Sequence, residues 1–193
     1  IYFEPPDLVR PRIEQLHSEA LGLRDYNLVH SMEWARVVLE IRAGNLALGW
    51  RMLGEYLQAV ERAGHMSMYR QGLLTRAEIA LAISGLIDPA AETPSDRPAP
   101  PRKRPGLGDF ATYLSIKLSG KSQAERDLDR ALALNTSRQG PHVARCQIGL
   151  GLIAAARRRN AKAREYLEQG LATIAEQDFQ ILEARARTAL ERL

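Results

Sequence analysis

The sequence predicts an all-α fold in which antiparallel helix pairs stack into an α-solenoid. Alanine, leucine and arginine are abundant and aromatic residues make up only 6% of the 193 residues. That composition favours helices. No segment alternates apolar and polar residues between hairpin turns, so no sheet is expected. Apolar residues instead recur with helical spacing in paired segments about 35–45 residues apart, which is typical of stacked helical hairpins.

Nine helices are expected along the chain, separated by residues that end or begin helices. Their predicted spans are 7–23, 26–43, 46–63, 67–86, 109–119, 122–135, 141–157, 161–177 and 179–192. Turns are assigned to Gly44, Gly64, Gly120 and Gly140-Pro141. Asn45 and Asn160 are expected to cap the helices that follow them. Ser122 and Glu125 fit a capping box at the start of another helix.

A proline-rich stretch interrupts the helical pattern. Six of the ten prolines fall between Pro89 and Pro105, and proline at that density prevents helix and ladder hydrogen bonds. Residues 88–108 are therefore interpreted as an insertion or connector within a single domain that spans 1–193. The "PAPP" segment can adopt a polyproline II helix that docks in an aromatic groove, although a tether or a surface loop is the commoner outcome.

The net charge of +4 depends on the same stretch. Arg97, Arg102, Lys103 and Arg104 supply four positive charges, so the remaining chain is neutral. The basic residues lie mainly in the connector rather than on a folded face, so nucleic-acid binding is only a weaker alternative.

An internal repeat links the segments 124–132 and 163–171. Both carry small or apolar residues at i, i+4, i+7 and i+8, positions that share one helix face. The matched positions are Ala124, Leu128, Ala131 and Leu132 against Ala163, Leu167, Gly170 and Leu171, each offset by 39 residues. Gly149 and Gly151 in the helix before the second segment are interpreted as positions where two helix backbones approach closely.

These residues resemble the tetratricopeptide repeat. Leu150-Gly151, Ala163, Leu167 and Gly170-Leu171 occupy the places of the family's small and large apolar positions. Three places depart from the family pattern: Gln147 replaces an aromatic residue, Arg158 a turn glycine and Ala175 a closing proline. The resemblance covers roughly 26–193. Because the 39-residue offset exceeds the family's 34, it implies the longer repeats of bacterial signalling proteins, beside nucleotide cyclase or ATPase modules or in MalT-like transcription regulators.

Apolar runs and cysteine content exclude several classes of protein. The longest apolar runs are nine residues, whereas a membrane-spanning helix needs about 20, so a soluble protein is expected. The single cysteine, Cys146, excludes an internal disulfide framework and fits a reducing, cytoplasmic compartment. The chain begins at Ile1 without an initiator methionine, so a fragment of a longer polypeptide is expected.

The most enzyme-like segment is "SIKLSGKS", residues 115–122. It ends like a phosphate-binding loop, in which Lys121 would reach the outer phosphates of a nucleotide. Ser115 replaces the first glycine of that motif, and the preceding residues favour a helix rather than a strand. A corner between two helices, capped by Ser122, is the preferred interpretation, and nucleotide binding is the weaker one.

No metal, cofactor or catalytic group is predicted. The four histidines are scattered, without a paired spacing for a metal, and Cys146 on a helix is expected to be a small buried residue. A basic cluster of Arg157–Arg159, Lys162 and Arg164 could contact an acidic partner or a phosphate backbone, but a solvated turn is the preferred interpretation.

The sequence therefore predicts a non-catalytic protein–protein interaction module rather than an enzyme, with a peptide or protein segment held in a concave groove. In repeats that this chain resembles, the first helix of each pair lines the concavity. By that analogy the candidate partner-binding residues are Met32, Leu39, Arg42, Thr75, Ile79, Arg145, Ile148 and Leu152. The arginines would bind carboxylates and the aliphatic side chains would supply apolar contacts.

The alternative is a regulatory or self-associating segment of a multidomain signalling protein. An apolar stripe on the last predicted helix motivates it, because no further helix follows to cover the stripe. The stripe consists of Leu182, Ala186, Ala189, Leu190 and Leu193. A homo-oligomer formed through the terminal helices would bury it.

Overall fold

A computed structural model of the chain describes residues 6–88, 106–135, 140–175 and 179–193. These residues form eight α-helices and no strand, which confirms the all-α class. The helices are α1 (Pro6–Leu23), α2 (Tyr26–Arg42), α3 (Leu46–Arg62), α4 (Met66–Ile83), α5 (Leu107–Ala133), α6 (Pro141–Ala156), α7 (Asn160–Ile174) and α8 (Gln180–Glu191). None of these described helices combines the length and the hydropathy needed to cross a bilayer.

The chain falls into two compact units, one within 1–72 and 96–115 and the other within 73–95 and 116–193. The division lies inside α4 and α5. That the chain is one domain over 1–193 stays a prediction. Most of the expected connector, 89–105 with its "PAPP" motif, lies outside the described residues, and Leu107 and Gly108 belong to α5 rather than to the connector.

In the first unit, α1, α2 and α3 pack in sequence order. The first two are antiparallel, because Arg10 pairs with Glu40 whereas Glu14 pairs with Arg36. Gly44 separates α2 from α3 with a φ of +85°, which confirms the predicted turn there.

In the second unit, α6 and α7 form an antiparallel hairpin whose backbones approach closely. A Cβ built on Gly151 of α6 would lie 2.7 Å from Leu167 Cγ, and one on Gly170 of α7 would lie 2.6 Å from Ile148 Cγ1. Each glycine thus accommodates a fully buried side chain of the other helix. The predicted packing role of Gly151 is confirmed, and Gly149 likewise accommodates Leu128 of α5.

The 39-residue repeat also appears in the burial of the side chains. In both segments the first three of the four matched positions are buried and the fourth is half-buried. Leu128 of the first segment packs at Gly149, whereas Leu167 of the second packs at Gly151. Both large residues therefore fill spaces left by glycines of α6, two positions apart.

The structure corrects the interpretation of Gly120. The helices expected at 109–119 and 122–135 are one continuous helix, α5. Gly120 is buried within it, and a Cβ there would lie 3.3 Å from the Cβ of Ala80 on α4. The glycine allows close helix packing instead of making a turn. Ser122 consequently caps no helix, and "SIKLSGKS" does not form a phosphate-binding loop.

Two further caps were predicted wrongly, whereas the remaining breaks are confirmed. The Asn45 side chain makes no cap bond and donates to Glu40 Oε2 at 2.6 Å, and Asn160 donates to the Leu193 carbonyl at 3.4 Å. Gly64, with a φ of +73°, makes its predicted turn. At Gly140-Pro141, the glycine has a φ of +117° and the proline begins α6 as expected.

The apolar stripe of the last helix is covered within the chain. Leu182, Ala186 and Ala189 of α8 are buried in one cluster with Ile148 of α6 and Leu167 of α7. Leu190 and Leu193 pack against the same cluster. The stripe therefore does not offer the open surface that the self-association alternative required of it.

Candidate functional site

An apolar groove of about 200 Å³ lies between α1 and α2 in the first unit. Three residues of α1 and seven of α2 line it, and only two of these ten are polar. The lining consists of Pro6, Val9, Ile13, Ser31, Met32, Trp34, Ala35, Val38, Leu39 and Arg42.

The spacing of small and branched residues produces this groove. Val9 and Ile13 lie four positions apart on one face of α1, and both are buried in a cluster with Leu39 of α2. Ala35 packs against that cluster from the neighbouring turn of α2. Because alanine carries only a methyl group, a space remains between the helices where a larger side chain would have filled it.

Ion pairs fix the distance between the two helices along the groove. Arg10 of α1 donates to Glu40 of α2, and the Arg36–Glu14 pair joins the same helices at 2.9 Å. Glu40 also accepts a hydrogen bond from Asn45, and only 5% of Glu40 is exposed. Burial raises the pKa of Glu40, but the hydrogen bonds from Arg10 and Asn45, together with the charges of Arg10 and Arg36, outweigh it. The net pKa therefore lies below the ordinary value of a glutamate.

An aromatic pair connects the groove to α3. The centroids of the Trp34 and Tyr56 rings are 5.6 Å apart, and the two ring planes are tilted by 44°. Burial, and to a lesser degree the charge of Glu33, raises the pKa of Tyr56 to about 12, so its phenol is neutral at pH 7. Trp34 lines the groove, so this pair links the groove lining to Tyr56, which is buried in the core of the unit.

The structure brings together three of the eight predicted binding residues. Met32, Leu39 and Arg42 line the α1/α2 groove, with Arg42 as the only charged residue among the described lining residues. The sequence reasoning missed their partners on α1 and the aromatic residue Trp34. The four-residue spacing of Val9 and Ile13 in the sequence indicates an apolar face on α1. The resemblance to a helical repeat instead assigned the groove to the first helix of each helix pair after α1.

The other five predicted residues lie in the second unit. Thr75 and Ile79 are half-buried on α4, and Leu152 is half-buried against the α6–α8 cluster. Ile148 is fully buried, so it belongs to the core and cannot line an open groove. Arg145 makes a two-pronged contact with Glu78, at 2.8 and 2.6 Å, so its guanidinium binds a carboxylate of its own chain rather than one of a partner.

The remaining chemical signals have structural explanations. Cys146 is fully buried, as predicted. Within the basic cluster, Arg157 bonds to Glu125 at 2.6 Å, Arg164 faces Glu168, and Lys162 lies over the Tyr166 ring. Among the residues described, no group of three or more histidine, cysteine, aspartate or glutamate side chains is placed to hold a metal ion.

The geometry of the α1/α2 groove suits apolar side chains. Its lining offers apolar contact over most of its surface, a hydroxyl at Ser31 and a guanidinium at Arg42. No protein-family model, curated protein or solved structure matches the chain.

Proposed function

We propose that this chain is a non-catalytic interaction module that binds an apolar protein segment in the α1/α2 groove. The observation that carries the proposal is the groove itself, with eight apolar residues among its ten described lining residues. Its volume of about 200 Å³ is below the roughly 300–1,000 Å³ that small-molecule and cofactor sites occupy. A space of that size suits one or two anchoring side chains of a protein partner.

The length of the groove favours a helical segment. Ile13 lies seven positions after Pro6 on α1, and at about 1.5 Å per position the two are about 10 Å apart. A helix that presents apolar residues at i, i+3 or i+4 and i+7 covers the same length, which is the usual mode of helix recognition in a groove.

The scaffold that we propose is a TPR-like stack of helix pairs. The 39-residue recurrence of burial and the glycine-assisted hairpin of α6 and α7 support it. Arg158 also supports it, because it lies between α6 and α7 with a φ of +58°, where the tetratricopeptide pattern has a turn glycine. A signalling or regulatory setting in a reducing compartment is part of the same proposal, and the single cysteine supports it.

A display library of helical peptides tests the binding proposal. The library would carry peptides of roughly 14 residues, about four turns, with the apolar face randomised, and would be selected against the whole chain. We expect selected peptides to bind the unmodified chain and to lose at least about tenfold in affinity for Ala35→Arg, which fills the groove.

The matched control is Leu23→Ser. Leu23 is 76% exposed at the end of α1 and does not line the groove, so its substitution should leave binding unchanged. Peptides that bind Ala35→Arg and the unmodified chain equally well would show that the groove is not the binding site.

A further inference from the structure

We propose that α1 is a strap that opens from α2 as a single helix while α3 stays folded. This inference goes beyond the proposed function, because the strap opens whether or not a segment occupies the groove. Opening removes the α1 wall of the groove and uncovers the apolar face of α2 that α1 packs on. The strap therefore decides whether α2 presents a groove or a bare helix face.

Little apolar burial holds α1 in place. Only three of its 18 residues are buried, namely Val9, Ile13 and Ala20, whereas five of the 17 residues of α3 are buried. The groove also leaves about 200 Å³ of unfilled space between α1 and α2, so the side chains on either side of it lose part of the contact that a packed interface gives. Elements with few buried apolar contacts are the ones that open locally.

A proline weakens the helix of the strap itself. Pro11 lies inside α1, and because proline has no backbone N–H, the helix lacks the bond that this residue would donate to the Asp7 carbonyl. The proline ring also crowds that carbonyl. Pro11 is exposed, so it adds no core packing that would offset this loss.

Two ion pairs hold the strap on α2. Arg10 and Glu14 of α1 pair with Glu40 and Arg36 of α2, respectively. Glu40 is buried, but its other hydrogen bond comes from Asn45, which precedes α3 and does not move with α1. The side chain of Arg10 is 38% exposed, so water can replace its bond to Glu40 when the strap opens.

The turn between α1 and α2 is the hinge of the strap. Arg24 lies there with a φ of +56°, a conformation that is strained for a residue with a side chain. Its N–H donates to the Leu21 carbonyl at 3.2 Å, and the Asp25 N–H donates to the Ala20 carbonyl at 3.1 Å. The Asp25 side chain accepts from the Leu28 N–H at 3.1 Å, so α2 keeps its own cap when α1 moves away. A few residues at the end of an element commonly absorb such a change in backbone angles.

Thiol labelling of buried cysteines tests the strap on the full chain. The only natural thiol, Cys146, is fully buried in the second unit, so peptide masses distinguish it from a thiol added to the first unit. Val9→Cys on α1 and Val60→Cys on α3 replace valines that are 4% and 0% exposed. We expect Val9→Cys to be labelled at least about tenfold faster than Val60→Cys. Equal rates would show that α1 opens only together with α3 and would overturn the proposal.

Ala20→Cys distinguishes a strap from a frayed helix end. Ala20 is fully buried, and it lies about three turns after Val9 on the same helix. If α1 opens as one helix, the two added thiols should be labelled at rates within about threefold of each other. A larger lag at Ala20→Cys would show that only the first turns fray and would overturn the proposal. Ile13→Cys takes its place if Ala20→Cys folds poorly by circular dichroism.

Two substitutions outside the buried face of α1 should shift the strap in opposite directions. Pro11→Ala restores the missing helix bond and should slow the labelling of Val9→Cys at least about tenfold. Arg10→Ala removes one of the ion pairs and should speed it at least about threefold. The control Arg51→Ala breaks an exposed ion pair with Glu55 on α3 and should leave the rate within about twofold. If either α1 substitution leaves the rate within the range of the control, the proposal is overturned.

Discussion

Replacing Gly151 with alanine tests whether close approach of α6 and α7 stabilises the second unit. The new Cβ would lie 2.7 Å from Leu167 Cγ, 2.8 Å from a Cδ of the same residue and 3.3 Å from the Ala163 carbonyl oxygen. Leu167 is fully buried, so its branch point cannot move into open space. The α6 and α7 backbones must then separate, or Leu167 must leave its rotamer.

The expected loss follows from two opposing terms. Overpacking a core costs about 1–3 kcal/mol, and a clash with a branch point and a backbone oxygen places this case near the upper end. Replacing glycine with alanine inside a helix stabilises the helix by about 1 kcal/mol. We therefore expect Gly151→Ala to lower the free energy of unfolding by about 2 kcal/mol, measured by urea denaturation followed by circular dichroism.

The chain offers a matched control and a rescue. Gly54 also lies inside a helix, α3, but a Cβ there would meet nothing within 4 Å. Gly54→Ala should therefore raise the free energy of unfolding by about 1 kcal/mol. Leu167→Ala alone should cost about 2–5 kcal/mol, yet it removes the clashing atoms. The double variant should therefore be more stable than the sum of the two losses, by about 1 kcal/mol or more.

Two outcomes would refute this reasoning. A Gly151→Ala protein at least as stable as the unmodified chain would show that the two helices do not approach as closely as described. Strict additivity of the Gly151 and Leu167 substitutions would show that their side chains do not share the same space.

Three further predictions concern single residues. Arg158→Gly should stabilise the chain by up to about 1 kcal/mol in urea denaturation, because a φ of +58° strains a residue that has a side chain. Arg159→Gly, at a φ of −93°, relieves no such strain and should stabilise the chain less than Arg158→Gly does. Arg76 donates two hydrogen bonds of 2.7 Å to Asp127. Asp127→Asn should lower the free energy of unfolding by about 2 kcal/mol in the same assay, because it removes the buried counter-charge of Arg76. A loss below about 0.5 kcal/mol would contradict this. Glu40→Gln should reduce the acid sensitivity of stability. The folded pKa of Glu40 is lowered, so its contribution is complete above the unfolded pKa of about 4.3 and disappears as the pH falls through the folded value. Identical pH profiles of the two proteins, measured by denaturation, would exclude this contribution.

Local sequence signals predicted most helix boundaries, because their causes lie within a few residues. Gly44 and Gly64 follow helical stripes directly, and Gly140-Pro141 combines two boundary residues, so each was recognised as a break. Gly120 looked the same in sequence but lies within a helix. The reason for its presence is Ala80, a residue on another helix 40 positions away, and no local pattern carries that information.

The candidate site was only partly predictable for the same reason. Met32, Leu39 and Arg42 were identified from the pattern on α2, but the groove exists only because Val9 and Ile13 of α1 pack opposite them. An ion pair between residues far apart in sequence also excluded one predicted binding residue, Arg145. Arg145 looked available in the sequence, whereas the fold places Glu78, 67 residues away, within hydrogen-bonding distance of it.

The burial of Cys146 gives the second unit a natural chemical reporter. It is the only thiol of the chain, and none of its surface is exposed, so a thiol reagent can modify it only when that unit opens. Both tryptophans, Trp34 and Trp50, belong to the first unit, and their fluorescence follows that unit alone. Labelling rate and emission, recorded side by side in one unaltered sample, therefore reveal whether the two units open together or one before the other.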